Sequence, residues 1–186
     1  MVSRRLNLVL IGMPGSGKSV IGKILAEKLK RKFIDVDRVI EKREGLLLGD
    51  VLKKYGAKDF LHVEEEACLS IKAQGAIVAP GGSVILEPRA VRHFKKTGTL
   101  IYLRVGLKEL RRRLGDLRKR GVVPAKGGLK GIYDLRRPLY ERHADHSAGN
   151  RNAYKAVKKL KKYAAEFWKT LPRRGEGRER EGYDGS

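Results

Sequence analysis

One stretch constrains this chain more than any other: Gly12-Met13-Pro14-Gly15-Ser16-Gly17-Lys18-Ser19. Two glycines enclose four residues and a lysine and a serine follow, which is the pattern of a phosphate-binding loop. The flanks agree with it. Leu6 to Ile11 is a mostly apolar run of strand length, and Val20 to Arg31 sets Val20, Ile21, Ile24, Leu25 and Leu29 at helical spacing. A loop leading from strand to helix turns successive backbone N–H groups inward, and only small residues let them close around a phosphate. The helix adds its positive N-terminal end. The motif therefore predicts ATP binding by Gly12, Gly15, Ser16, Gly17, Lys18, Ser19 and Val20. In this arrangement Lys18 reaches the β- and γ-phosphates and the Ser19 hydroxyl is a ligand of Mg²⁺.

The rest of the chain continues the alternation. Lys32 to Asp37, Ala76 to Ala79 and Thr99 to Val105 read as strands, and His146-Ser147-Ala148 is the only candidate for a fifth. Helices are predicted over Val39 to Glu44, Asp50 to Tyr55, Phe60 to Ala73, Val91 to Lys96, Leu107 to Leu114, Leu129 to Asp145 and Tyr154 to Leu171. Strands alternating with helices make an α/β fold with a parallel sheet. One domain is expected over residues 1–171, and 172–186, rich in Arg, Gly and Glu, reads as a disordered tail.

Composition narrows the partners. The 186 residues carry 43 Lys and Arg against 21 Asp and Glu, a net charge of +22 that calls for anionic ligands. Amides are scarce (Asn7, Gln74, Asn150 and Asn152), as in proteins adapted to heat. Cys68 is the single cysteine and forms no internal disulfide, which fits a reducing compartment. No apolar run approaches the ~20 residues of a membrane span. A cytoplasmic monomer with no membrane contact is expected.

Phosphoryl transfer also needs an acceptor side. Read as a strand, Phe33-Ile34-Asp35-Val36-Asp37 ends in two carboxylates that alternation turns to one face, at the sheet edge where ligands bind. Asp37 also suits the N-cap of the next helix. Two carboxylates beside a phosphate loop suit Mg²⁺ and a hydroxyl. A basic stretch hinged on glycines (Gly115, Arg118, Lys119, Arg120, Gly121) supplies charge for the phosphates and excludes water on closing.

The order of these motifs resembles the shikimate kinase family over about residues 6–145. The resemblance is carried by GMPGSGKS, IGKILAEKL, FIDVD, FLHVEEE, APGGSV, the segment around RKRGVV, and RRPLYERHAD. It implies a P-loop NTPase fold with a five-stranded parallel sheet flanked by helices and a mobile lid over about 114–128. It also implies an ATP-dependent phosphotransferase acting on shikimate. Asp35 resembles the carboxylate that helps hold Mg²⁺ through water, and Asp37 the one that binds and orients or deprotonates the substrate hydroxyl. Gly81 and Gly82 would line the substrate side, Gly81 offering its backbone N–H. Arg120 matches the lid arginine on the phosphates, Arg136 the arginine that grips the substrate carboxylate, and Glu64 a residue that buttresses the site. Arg151 is the stacking candidate on the adenine side.

The chain departs from the family pattern on the acceptor side. Phe60-Leu61 stands where the family carries Phe-Arg, Pro80-Gly81-Gly82 where it carries three glycines, and Gly121-Val122-Val123 where Pro-Leu-Leu is common. Leu61 has no donor for a carboxylate. A second reading therefore keeps the kinase and changes the acceptor to another small hydroxy acid, a hydroxyl amino acid or a sugar acid. A third, of another class, is a basic nucleic-acid-binding P-loop protein, resting on Arg111-Arg112-Arg113, Lys158-Lys159 and Lys161-Lys162. Such runs are usually solvated faces, and no nucleic-acid motif accompanies them. Glu65 and Glu66 read as solvated, Cys68 as core, and Phe167 and Trp168 as anchors of the last helix.

Overall fold

The structure is a computed structural model that describes residues 6–114 and 121–170. Five parallel strands form one sheet in the order β2-β3-β1-β4-β5: β1 Asn7–Ile11, β2 Phe33–Asp35, β3 Ile77–Ala79, β4 Gly98–Arg104 and β5 His146–Gly149. The helices are α1 Lys18–Leu29, α2 Val36–Glu44, α3 Leu48–Leu69, α4 Pro88–Thr97, α5 Leu107–Arg113, α6 Gly128–His143 and α7 Ala153–Thr170, with a 3-10 turn at Val84–Leu86. This is the expected P-loop NTPase fold. The fifth strand exists although its sequence is not apolar: at the sheet edge only Ala148 faces the core.

The central strands show why a parallel sheet forms. Along β1, Val9 and Ile11 enter one core and Leu8 and Leu10 the other; along β4, Leu100 and Tyr102 oppose Ile101 and Leu103 in the same way. Both faces are thus covered, as parallel sheets require. The first face carries α2, α3, α4 and α6, and the second carries α1 and α7. The anchoring of α7 is as expected: Phe167 packs on the second core and Trp168 Nε1 donates to the Leu6 carbonyl at 2.8 Å. Among the described residues, no helix is long and apolar enough to cross a membrane.

Two local expectations are corrected. β2 stops at Asp35 and α2 begins at Val36, so Asp37 lies in the first turn of a helix and not on a strand. The cap is Asp35, whose Oδ1 accepts from the Asp37 N–H at 3.1 Å. By contrast, the helix end read at Gly56 is borne out: φ 73° and ψ 171° there break Leu48–Leu69 into two helices across a kink. Glu65 is buried, because Arg89 Nη1 from α4 meets its carboxylate at 2.9 Å. The proposed tail, residues 172–186, lies outside the described residues.

Candidate active site

All five strands point their carboxyl ends at one edge, and the phosphate loop leaves β1 there. Gly17 ends it with φ 90°, a left-handed conformation, and a Cβ there would come within 2.6 Å of Asn150 Nδ2. Glycine is therefore required twice over, by backbone and by space. A cavity of about 690 Å³ opens beside the loop, lined among others by Gly15, Lys18, Ser19, Asp35, Asp37 and Arg113. Gly17 and Val20 line it too. Gly12 lies deeper, packed on β4, and Ser16 is fully buried with an unpartnered hydroxyl.

Lys18 folds back onto its own loop, Nζ donating to the carbonyls of Gly12 at 2.9 Å and Met13 at 3.2 Å. Burial lowers its pKa, opposed chiefly by the charge of Asp37 and then of Asp35. Asp37 shows the converse. Burial, with the neighbouring charge of Asp35, raises it to about 6, and its Oδ1 is buried without a partner. Ser19 and Asp35 line the same cavity, so an alcohol and a carboxylate border one space beside the phosphate loop. Among the described residues, no group of three or more His, Cys, Asp or Glu could hold a metal. Mg²⁺ ordinarily takes only one or two protein ligands beside phosphates and water, so this donor set fits it.

A second polar group is sealed behind Lys18 and Asp37. Arg136, from α6, is 1% exposed; Nη2 donates to the Val123 carbonyl at 3.1 Å, while Nε and Nη1 have no partner. Glu64, from α3, accepts from the Ser83 hydroxyl, and burial raises its pKa to about 8. The charges of Asp37, Arg136 and Lys18 all act on Glu64, so the four form one electrostatic unit. Gly81 sits between two of them: a Cβ there would collide with Glu64 Oε1 and stand 3.1 Å from Asp37 Oδ1. Tyr140 pins the adjacent Gly82, its hydroxyl donating to that carbonyl at 2.5 Å. The family-specific segments APGGSV and RRPLY thus meet.

Not every expected residue joins this group. Arg120 and the lid residues 115–120 lie outside the described residues. Of the remaining lid segment, Gly121, Val122 and Val123 are buried, with Gly121 closing on Leu48. Arg151 is exposed and does not line the cavity. That wall is made instead by Arg113, Asn150 and Ala153. Arg113 is fixed by Glu109 at 2.7 Å and by the Asn150 carbonyl at 2.7 Å. Sequence reasoning passed over Arg113 and Asn150, although Asn150 directly follows the last strand at the ligand-binding edge. Leu61 packs its side chain against the apolar core.

Comparison with known proteins agrees with this geometry. The family model described as shikimate kinase matches residues 14–171. The Shikimate kinase of Thermodesulfovibrio yellowstonii is 35% identical over 140 residues, covering 73% of this chain and 81% of that protein. Threonine synthase-like 1 of Homo sapiens is 32% identical over 142 residues, which cover 75% of this chain but 19% of that protein. A solved Shikimate kinase from Acinetobacter baumannii, in complex with shikimate, superposes with a TM-score of 0.79 at 23% identity, covering 87% of this chain and 94% of that one. With its phosphate loop, parallel sheet and sealed arginine, the chain belongs to the shikimate kinase family.

Proposed function

We propose that this chain transfers the γ-phosphoryl group of ATP to a hydroxyl of a small carboxylated molecule, with shikimate as the acceptor. The observation that carries the reading is Arg136, a buried guanidinium whose Nε and Nη1 have no partner in the protein. Unpaired buried charge is expensive, and a site that keeps it is built for an anion that arrives later. Asp37 complements it, with a buried free oxygen suited to a hydroxyl. A molecule carrying both groups satisfies both residues.

Each residue then has a task. The loop N–H groups and Lys18 hold the phosphates, while Arg113 and Ala153 wall the nucleoside end. Ser19 and Asp35 would hold Mg²⁺, which neutralises charge on the phosphates when bound. Asp37 orients the acceptor hydroxyl and takes its proton as the oxygen attacks phosphorus. Arg136 fixes the acceptor carboxylate, and Arg120 is assigned to the phosphates. Catalysis here is positioning plus charge neutralisation.

A second reading keeps this chemistry and changes the acceptor to another hydroxy acid. Leu61 favours it, since one carboxylate contact of the family is missing, and so does a family relative that carries a name other than shikimate kinase. ADP release from Mg-ATP, with and without shikimate, tests both. Stimulation with a phosphorylated product seen by mass spectrometry supports the first reading. ATP binding without stimulation by shikimate rejects it and directs a screen of hydroxy acids.

A further inference from the structure

The chemistry above engages few of the chain's cations. Lys18, Arg38 and Arg113 line the cavity and Arg136 lies behind it, whereas the net charge is +22. Six of the chain's cations sit on α7. That helix turns Ala156, Val157, Leu160 and Ala164 inward and exposes Lys155, Lys158, Lys159, Lys161, Lys162 and Lys169, with Glu166 its only acid. The ion pairs among the described residues all lie on α2 to α6. Beside α7, α1 exposes Lys23 and Lys28. Lysines three and four residues apart repel along a helix, and of the exposed lysines on α7 Lys159 alone is shown bonding to the fold through its side chain, Nζ donating to the Ser147 carbonyl at 3.4 Å. At the head of the same face stands Tyr154, 74% exposed and one turn before Lys158. Cations tracking a backbone and an open aromatic ring for a base are the two features that hold single strands.

We propose that the outer face of α7, flanked by α1, binds single-stranded nucleic acid through its phosphates, with Tyr154 stacking on a base. The 18 residues of α7 make a helix ~27 Å long, enough for several phosphates. α7 covers the sheet face opposite Arg136 and α6, so a bound strand leaves the acceptor pocket free.

The test is fluorescence anisotropy with a labelled oligouridylate of about twenty nucleotides, in saturating Mg-ATP so that the phosphate loop is filled. Lys158→Glu with Lys162→Glu should weaken binding at least about tenfold and lower the salt slope by about 0.7 per lysine. Lys95→Glu with Lys96→Glu removes the same charge from exposed positions on α4 and should change affinity less than about twofold. Tyr154→Ala should weaken binding about fivefold with the slope unchanged. Absence of binding at low salt, or equal losses from the two lysine pairs, would overturn the proposal. A duplex bound as tightly as the single strand would overturn the stacking role of Tyr154. Circular dichroism of each variant checks that it is folded.

Discussion

Asn150 ties the phosphate loop to the far end of the sheet: its side-chain amide donates to the Ser16 carbonyl at 2.7 Å, across 134 positions of sequence. Its backbone N–H donates to the Arg104 carbonyl at 2.8 Å and its own carbonyl accepts from Arg113. One residue thus joins β4, α5 and the loop. Asn150→Ala strands the buried Ser16 carbonyl, at a cost of about 1–3 kcal/mol. The expected outcome is that loss in denaturant melts and a several-fold rise in KM for ATP. Asn150→Asp should cost more, because a carboxylate oxygen then faces that carbonyl. An Asp variant as stable as wild type would rule out this role.

Arg136 sets function against stability. Its guanidinium is buried and two of its nitrogens lack partners, so the free protein carries the cost of an unpaired charge. Arg136→Met should therefore raise stability by about 1–2 kcal/mol. The same change removes a charge-assisted contact worth roughly 1.5–3 kcal/mol to a carboxylated acceptor, a rise in its KM of tenfold to a hundredfold. Thermal melts and acceptor titrations read the two effects separately. A variant that loses stability and keeps its KM would show that Arg136 is structural.

The contrast between these two residues shows what the sequence makes legible. Arg136 is found because Pro138-Leu139-Tyr140 fixes its register, and Tyr140 does meet the glycine segment. Asn150 and Arg113 are missed because their value arises from contacts across more than a hundred and across 37 residues, which no local pattern encodes. Asp37 is located but its backbone is misread: Phe33 to Asp37 alternates like a strand, yet Asp35 caps α2 and ends the strand two residues early. Glu65 looks solvated until Arg89 on α4 is brought beside it. Motifs set by backbone geometry are readable in one dimension; partners supplied by a distant element are not.

In the proposed reaction Asp37 is the base, and the structure places it in the first turn of α2. Asp37→Asn keeps the volume and removes the charge. A positioned proton acceptor contributes about 10²–10⁴-fold, so kcat should fall by that factor. KM for ATP should change little, since the phosphates are held by the loop. Asp37 also supports the charge on Lys18, which burial opposes. Steady-state kinetics beside equilibrium ATP binding distinguish the cases: loss of both together would make Asp37 a support of the phosphate loop.

Glu64 gives the fold a pH dependence of definite sign. Burial raises its pKa from 4.5 to about 8, with Ser83 donating to it and opposing the rise. The folded protein therefore favours the neutral acid more than the unfolded chain does. Stability from this group is fully present below about pH 4.5 and is lost as pH rises through about 8. Glu64→Gln is neutral throughout and still offers Ser83 an acceptor, so it removes that dependence. The variant should match wild type near about pH 5 and be the more stable by about pH 9, with the gap widening between. Chemical denaturation across that range measures it. A constant difference between the two proteins would mean that Glu64 is charged in the fold, held so by Arg136.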